Sequence, residues 1–323
     1  MTGAANSAAA RPVAAPKTPS TGSGRSRVIA PGEPRLLGLV YVAPAFVAMS
    51  LILLIPLVLT AWLSLNEWDG VGQITWIGLD NYAGLLSDPF VIPAMQNAVE
   101  LTIFYSVLPI IIGFLSAAAL ARVNAHLRTP LRALLFLPAI IAPVVVAVGW
   151  RLIYTPVTGL LDQLLAAVGL ASASRPWLGD FTFALPATGV VATWMEYGLV
   201  MVLFLAGIQN ISAELYDAAR VDGAGLRQEL RYITLPSLRN EMLVAVVITV
   251  IASFRNFDLV YNLTRGGPGI STDVPVLEVY RRAFLYGQVG SGAALGMTIA
   301  LVILCLTIAI VLGTRRWIGA DAA

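Results

Sequence analysis

Long apolar stretches separated by shorter polar ones dominate this chain. An α-helix needs roughly 20 apolar residues to cross the hydrocarbon core of a bilayer. Six stretches meet that length, at residues 36–65, 97–121, 133–155, 186–208, 241–262 and 289–313. Several contain proline, which kinks a helix but is tolerated inside membrane bundles. The pattern predicts an all-α integral membrane protein whose six transmembrane helices occupy residues 35–314.

Composition supports a membrane protein and narrows its chemistry. The chain is 58% hydrophobic and 12% charged, with a mean hydropathy of +0.82, which excludes an ordinary soluble globular domain. Its net charge of +2 is too small to indicate a nucleic-acid partner. The single cysteine, Cys305, lies in an apolar run and has no partner for a disulfide within the chain.

The two ends of the chain differ in character from the spans. Residues 1–34 are rich in Ala, Pro, Ser, Thr and Gly, and cannot bury enough apolar surface to offset their ordering entropy. They predict a disordered tail. The first apolar stretch is too long for a signal-peptide core and has no clear cleavage site, so we expect a retained span. Residues 315–323 predict a short C-terminal extension.

Basic residues predict the orientation. With six spans, both termini share one side of the membrane, and 14 of the 20 Lys and Arg residues fall on that side. They are Arg11, Lys17, Arg25, Arg27, Arg35, Arg122, Arg128, Arg132, Arg220, Arg227, Arg231, Arg239, Arg315 and Arg316. The first loop on the opposite side, 66–96, has none. We therefore expect both termini and loop 210–240 in the cytoplasm, with the chain in a bacterial-type plasma membrane.

Loop 210–240 contains the longest charged segment between two spans. Seven charged residues lie between Glu214 and Pro236. Apolar positions at helical spacing predict a short helix, a break at Gly223, and a second short helix that ends at Pro236. The pattern alone fits a solvated helical hairpin in any cytoplasmic loop equally well.

The spacing within this segment is more specific than its polarity. Asp217-Ala218-Ala219, Gly223 and Ile233-Thr234-Leu235-Pro236 together resemble the EAA loop of permease subunits in binding-protein-dependent ABC importers. Asp217 departs from the usual Glu, keeping the charge on a side chain one methylene shorter. The resemblance implies that the loop forms coupling helices docking in a cleft of a separate ATPase. The implied coupling residues are Glu214, Asp217, Ala218, Ala219, Asp222, Gly223, Leu235 and Pro236.

Two further segments resemble the sugar-permease branch of this family, of the MalF and UgpA type. One is IGLDNY at Ile77–Tyr82, after the first span; the other is NFDLVYNLTRGGPG at Asn256–Gly269, where an FD pair precedes a T-x-GGP turn. The glycines permit a tight external turn whatever the family. Around the first segment, turn-forming and apolar residues predict a small packed cap of Trp76, Ile77, Leu79, Tyr82 and Leu85.

Polar residues interrupt the fourth and fifth spans. A charge near the bilayer centre costs roughly 2.5–3.5 kcal/mol on insertion scales, so it faces a partner or a cavity. One interpretation is an internal ion pair between Glu196 and Arg255 that pins two helices. The other is contact with a solute, because a sugar needs hydrogen-bonding groups and aromatic faces. The candidate pathway residues are Trp194, Glu196, Tyr197, Leu199, Ser253, Asn256 and Asp258.

The resemblance to sugar permeases bears on the choice between an internal ion pair and contact with a solute. It places Glu196, Leu199, Ser253 and Asn256 where related permeases line a sugar pocket in the middle of the membrane. Glu196 departs from the small residue that is usual at its position, which leaves the substrate contacts open.

Motifs for catalysis and nucleotide binding are missing. The only lysine, Lys17, follows Pro16, so the chain has no Gly-Lys-Ser/Thr phosphate-binding loop. Metalloprotease, serine-hydrolase and paired-cysteine patterns are also missing. We therefore predict no catalytic residue, no metal site and no cofactor on this chain. ATP and Mg²⁺ are expected on the partner ATPase.

The resemblance implies a type I ABC importer permease for a carbohydrate, covering about residues 36–313. Its implied partners are a second, homologous permease, an ATPase dimer, an extracytoplasmic solute-binding protein and the lipid bilayer. An ATP-independent secondary transporter or channel would explain the spans and the intramembrane charges, but not the spacing from Asp217 to Pro236. A polytopic membrane enzyme lacks a recognisable catalytic constellation.

Overall fold

The computed structural model describes residues 35–319, with side chains from 40 to 314. The predicted disordered tail 1–34 and residues 320–323 lie outside the described residues. The chain divides into two units, one ending at Leu53 and one beginning at Leu54. Within the described range, helix predominates and the only strand pairing is a two-stranded antiparallel hairpin, with Asn66 opposite Trp76.

The described elements have the following bounds. The α-helices are α1 (Arg35–Met49), α2 (Ile55–Leu63), α3 (Asp80–Leu86), α4 (Val91–Thr102), α5 (Leu108–Ala121), α6 (Ala125–Ile140), α7 (Pro143–Ile153), α8 (Leu160–Ala167), α9 (Ala184–Gln209), α10 (Ala213–Val221), α11 (Leu226–Glu229), α12 (Leu235–Ser237), α13 (Arg239–Phe254), α14 (Asp258–Leu263), α15 (Pro275–Tyr280) and α16 (Val289–Gly319). The strands are β1 (Asn66–Glu67) and β2 (Thr75–Trp76). Single π-helical turns occupy Ser50–Leu54, Ile103–Val107, Leu230–Thr234 and Arg281–Leu285, and a 3₁₀ turn occupies Ala171–Ala173.

Four described helical runs are long and apolar enough to cross a membrane unbroken. They are Val40–Leu63, Val91–Ala121, Ala184–Gln209 and Val289–Thr314. Two bent pairs bring the number to six if each crosses once: Ala125–Ile140 with Pro143–Ile153, and Leu226–Ser237 with Arg239–Phe254. The prediction of an all-α membrane protein with several spans is confirmed.

The third predicted span is not one straight helix. Its two halves, α6 and α7, meet at 93° because Ile141 and Ala142 have extended backbone conformations. Pro143 explains the break, since a proline lacks an amide hydrogen and disfavours helical geometry in the residue before it.

The fifth predicted span, 241–262, is interrupted as well. Its helix ends at Phe254, and a second helix begins at Asp258. At the other end, α13 turns by 71° from the helix that precedes it. The second span begins at Val91 rather than at 97, which shortens the loop before it. Helix α16 continues to Gly319, so the predicted C-terminal extension begins as helix.

Helix α9 lies at the centre of the second unit. The N-terminal half of α9 packs in a hydrophobic cluster around Val191, to which α4, α7 and α14 contribute. The C-terminal half packs in a second cluster around Phe204, to which α5 and α13 contribute. Three glycines, Gly189, Gly198 and Gly207, recur every nine residues, so successive ones lie on opposite faces. A Cβ atom at Gly189 would lie 2.2 Å from the Phe104 ring, and those at the other two would lie 2.4–2.9 Å from neighbouring helices. The absence of side chains therefore lets three neighbours approach α9 closely.

The predicted cap after the first span is only partly packed. Leu85 is buried, and Tyr82 packs against the same cluster. Trp76 and Leu79 are 62% and 68% exposed, so the prediction is wrong for these two residues. Trp76 lies on the two-residue strand β2, and Leu79 immediately precedes the two-turn helix α3. Elements this short cover one side only, and these two side chains are left exposed.

Asp162 holds together the loop that joins α7 to α9. Its carboxylate accepts hydrogen bonds from the Val157 amide and the Trp177 indole, both at 2.8 Å, and from the Ser174 hydroxyl. These bonds, that of Ser174 foremost, lower the pKa of Asp162. Because the folded-state pKa lies below the unfolded one, the carboxylate stabilises the loop at neutral pH. It loses that contribution as the pH falls through the depressed pKa.

Replacing Asp162 by alanine should therefore open this loop. We expect limited proteolysis between residues 155 and 180 to become several-fold faster, with helix content by circular dichroism unchanged. Asp180→Ala is the matched control, because among residues 35–319 the Asp180 carboxylate accepts only from the nearby Thr182 and Phe183 amides. Equal sensitivity of the two variants would contradict the role given to Asp162.

Candidate coupling segment and translocation site

We use the name coupling segment for residues 213–237. Its first helix, α10, begins after Ser212, whose hydroxyl accepts a hydrogen bond from the Glu214 amide at 3.3 Å. It ends at Val221, and Gly223 follows with φ +80°. This left-handed conformation is one that glycine adopts without strain, so the predicted break at Gly223 is confirmed.

The second half of the coupling segment departs from the prediction. Helix resumes at Leu226 and continues past Pro236 to Ser237, so Pro236 does not end it. A proline in a regular α-helix clashes with the carbonyl four residues earlier, here that of Tyr232. Tyr232 lies in the π-helical turn Leu230–Thr234, and the wider turn leaves room for the ring.

A buried carboxylate anchors the coupling segment to the second span. Glu229 is 3% exposed and accepts a hydrogen bond at 2.6 Å from Arg122, which follows the end of α5. It accepts a second from Nε of Arg220, on α10, at 3.0 Å. The hydroxyls of Tyr216 and Thr234 lie 3.0 Å apart and link the two halves of the segment. Glu229 was not among the predicted functional residues, although an acid among several arginines was a visible signal.

The opposite side of the coupling segment is open and partly apolar. Leu215, Val221, Leu226 and Tyr232 are 52–88% exposed. Of the predicted coupling residues, Ala219 and Pro236 are half-buried; the exposed ones are Glu214, Asp217, Ala218, Asp222, Gly223 and Leu235. A short amphipathic segment with an exposed apolar face and a fixed inner face is suited to docking against another protein.

Of the predicted pathway residues, α9 carries Trp194, Glu196, Tyr197 and Leu199, while Ser253 lies near the end of α13, Asn256 in the break after it and Asp258 at the start of α14. Helix α9 contacts both α13 and α14. Trp194 packs edge to face on Trp150, with ring centroids 5.9 Å apart. Ser253 is fully buried, and its hydroxyl bonds the carbonyl oxygen of Ala98 at 2.9 Å and the hydroxyl of Thr102 at 2.8 Å. Ser253 thus joins α13 to α4.

The break at residues 255–257 contains a buried polar side chain without a partner in the described chain. Asn256 is 6% exposed, and its side-chain nitrogen has no hydrogen-bond partner among the described residues. In the part of the chain that the structure describes, no ion pair joins Glu196 to Arg255, so that interpretation is wrong. Glu196 and Tyr197 are half-buried, and Leu199, Arg255 and Asp258 are exposed.

A chain of aromatic rings begins at the same break and was not predicted. Phe257 stacks on Tyr261 with centroids 5.1 Å apart, and Tyr261 contacts Tyr280 at 5.6 Å. Tyr280 contacts Phe284 at 5.6 Å, and Phe284 is 76% exposed. Each pair on one helix is separated by four residues in sequence, which was a recognisable signal. The contact between the two pairs depends on the fold.

The helices able to cross a membrane and the exposed short-helix segment together define a polytopic membrane protein with a surface suited to docking. Residues 109–318 match the sequence profile of the family described as "Binding-protein-dependent transport system inner membrane component". The chain belongs to this family.

Relatives along most of the chain agree with this assignment. The probable ABC transporter permease protein YurN of Bacillus subtilis (strain 168) is 36% identical over 276 residues, covering 85% of this chain and 94% of that one. The trehalose/maltose transport system permease protein MalF of Thermococcus litoralis is 30% identical, covering 84% and 91%. The fold matches the crystal structure of a bacterial ABC transporter involved in the import of the acidic polysaccharide alginate, with a TM-score of 0.75 at 24% identity, covering 87% and 96%.

Proposed function

We propose that this chain is the permease subunit of an ATP-driven carbohydrate importer and forms part of the sugar pathway. The exposed coupling segment carries the proposal, because its short helix, left-handed Gly223 and buried anchor suit force transmission from another subunit. A secondary transporter that works without ATP has no need of such a segment.

The proposed mechanism is alternating access driven through the coupling segment. A partner ATPase dimer docks on the exposed face around Asp217 and Gly223 and binds ATP and Mg²⁺ itself. When the ATPases close, the segment moves as a rigid unit. Glu229 transmits that movement to α5 through Arg122, and α5 packs along α9. The spans then rock and open a midplane site to alternate sides, as in transporters generally.

The substrate proposal rests on relatives and on the chemistry at the break. Relatives carry names that include trehalose/maltose, arabinooligosaccharides and sulfoquinovosyl glycerol. Stacking surfaces and hydrogen-bonding groups are what a sugar site requires, and this chain offers Trp194, Tyr197, Phe257 and the unpartnered amide of Asn256. We assign Glu196, Leu199, Ser253 and Asp258 to the same region.

The remaining partners follow from the surface and the charge distribution. Only 11% of an 18-residue stretch of the sixth span is buried within the described chain, which leaves apolar surface for lipid and for a second, homologous permease. An extracytoplasmic binding protein delivers the solute on the face opposite the coupling segment. Under this proposal both termini lie in the cytoplasm, since the basic residues cluster there.

The decisive experiment is reconstitution with a partner permease, an ATPase and a solute-binding protein. We expect ATP hydrolysis to rise when the binding protein carries one member of a panel of sugars, and uptake into vesicles to require ATP. Uptake at an unchanged rate without the ATPase would favour a secondary transporter. Hydrolysis that no sugar stimulates would contradict the carbohydrate substrate.

Replacing Gly223 by proline should abolish coupled uptake. Gly223 has φ +80°, whereas proline is fixed near −65°, so the turn between α10 and α11 cannot form. We expect the Gly223→Pro subunit to insert in the membrane but to lose the co-purifying ATPase. Gly223→Asn is the matched control, because asparagine tolerates the left-handed region and should retain most activity. Full uptake by the proline variant would count against the proposed coupling role.

A further inference from the structure

A cavity of about 310 Å³ lies between the coupling segment and the ends of two spans. We call it the arginine cavity. Its polar lining consists of Arg122, Arg128, Arg220, Tyr216, Gln209 and Thr234, and its apolar lining includes Ala118 and Ile208. Two candidate spans, Val91–Ala121 and Ala184–Gln209, end at this cavity. It therefore lies at the level where helices leave the hydrocarbon core and phospholipid headgroups begin.

The arginine cavity contains more positive than negative charge. Both Glu229 oxygens are occupied, one by Arg122 and one by Arg220. Arg220 has a second, exposed partner in Asp217 at 3.3 Å. Within the described part of the chain, Arg128 donates only to carbonyl oxygens at the end of α5 and just beyond it, at 2.9–3.2 Å, and these groups carry no net charge. Three guanidinium groups thus face two carboxylates.

The three guanidinium groups also have more hydrogen-bond donors than their bonds within the described chain use. Each guanidinium offers five N–H donors. The bonds above use one nitrogen of Arg122 and two each of Arg128 and Arg220. The other nitrogens remain able to donate to a ligand. Tyr216 and Thr234 add hydroxyls to the same wall.

We propose that the arginine cavity binds a phosphate group at the joint between the spans and the coupling segment. Planar guanidinium groups bind phosphate oxygens with paired, charge-assisted hydrogen bonds. Basic pockets between membrane helices at the cytoplasmic side suit anionic headgroups, and the apolar wall would lie against the glycerol and the first acyl carbons. The same chemistry would accept a small soluble phosphate. Neither the sugar nor the ATPase enters this inference, which goes beyond the proposed function.

The test uses the full chain in nanodiscs and measures binding directly. In one arm, the discs contain phosphatidylcholine with or without phosphatidylglycerol, and native mass spectrometry counts the retained anionic lipids. In the other, inorganic phosphate and pyrophosphate are titrated in phosphatidylcholine discs while the thermal midpoint is followed. The cavity variant is Arg122→Gln with Arg128→Gln. The matched control is Arg227→Gln with Arg231→Gln, which removes the same charge from exposed positions outside the cavity.

We expect the wild type and the control to retain phosphatidylglycerol and the cavity variant to bind it about tenfold more weakly or worse. A midpoint that rises with phosphate in the wild type but not in the cavity variant would identify a soluble source for the same site. The proposal is overturned if the wild type responds in neither arm. It is also overturned if the control loses as much binding as the cavity variant.

A second variant distinguishes loss of binding from misfolding. It is needed because Arg128 also donates hydrogen bonds to backbone carbonyls at the end of α5, and its replacement removes them. Ala121→Leu fills the cavity and leaves all three arginines in place. We expect this variant to elute as the wild type does on size exclusion and to lose phosphate binding. Wild-type binding by the filled cavity would overturn the location that we assign to the site.

Discussion

Replacing Glu229 by glutamine should reduce ATP-coupled uptake by about tenfold, the factor that corresponds to roughly 1.4 kcal/mol of coupling free energy. Glu229 is the buried acceptor that joins Arg122 after α5 to Arg220 on α10. A neutral amide keeps the shape, but its nitrogen cannot accept from a guanidinium, so it loses the ion pair and one of the two hydrogen bonds. The coupling segment would then move without carrying α5 along. We expect the ATPase to remain bound and to hydrolyse ATP, while transported sugar per ATP falls.

The contrast with an exposed acid makes this prediction specific. Asp217 contacts the same Arg220 at 3.3 Å, but its side chain is 72% exposed, and exposed pairs contribute little to stability. Asp217→Asn should leave the thermal midpoint of the chain unchanged, whereas Glu229→Gln should lower it by a few degrees. A Glu229→Gln subunit with normal sugar transported per ATP would show that force reaches the spans by another route.

Replacing Gly189 by alanine should destabilise the membrane domain by about 1–3 kcal/mol, the usual cost of overpacking a tight interior. The new Cβ atom would lie 2.2 Å from the Phe104 ring, on the helical run that packs against α9. Either the ring or the helix must shift. Thermal or denaturant unfolding in detergent measures the loss.

Gly296 supplies the control, since a Cβ atom there meets nothing within 4 Å. Alanine is a better helix former than glycine, so Gly296→Ala should be neutral or slightly stabilising. Shortening the neighbour in the double variant Gly189→Ala with Phe104→Leu should recover part of the lost stability. A Gly189→Ala protein as stable as the wild type would refute the close approach at this position.

Hydropathy was sufficient to predict most of the fold. In lipid, a single segment can satisfy all its backbone hydrogen-bonding groups only as a helix. Hydropathy alone could not predict the bends between α6 and α7 and before α13. Residues 133–155 are apolar on both sides of Ala142, and apolar content is insensitive to backbone direction. Pro143 was the local signal for that bend. The break before Asp258 coincides with the polar residues that were predicted to interrupt the fifth span.

The candidate site was predictable where it depends on local spacing. The break at Gly223 follows from residue type, and the structure confirms it. The contact between Arg122 and Glu229 joins residues 107 apart in sequence, and no local pattern specifies it. The aromatic chain from Phe257 to Phe284 likewise requires the fold to bring Tyr261 of α14 into contact with Tyr280 of α15.

The nine-residue recurrence of glycine in α9 constrains the length of that helix. Each residue advances an α-helix by about 100°, so a single insertion between Gly189 and Gly198 would rotate everything beyond it by that angle. Larger side chains would then meet the neighbours that glycine now accommodates. A surface loop tolerates added or lost residues more readily than a packed helix does, whereas α9 keeps its packing only if the number of residues between its glycines stays fixed.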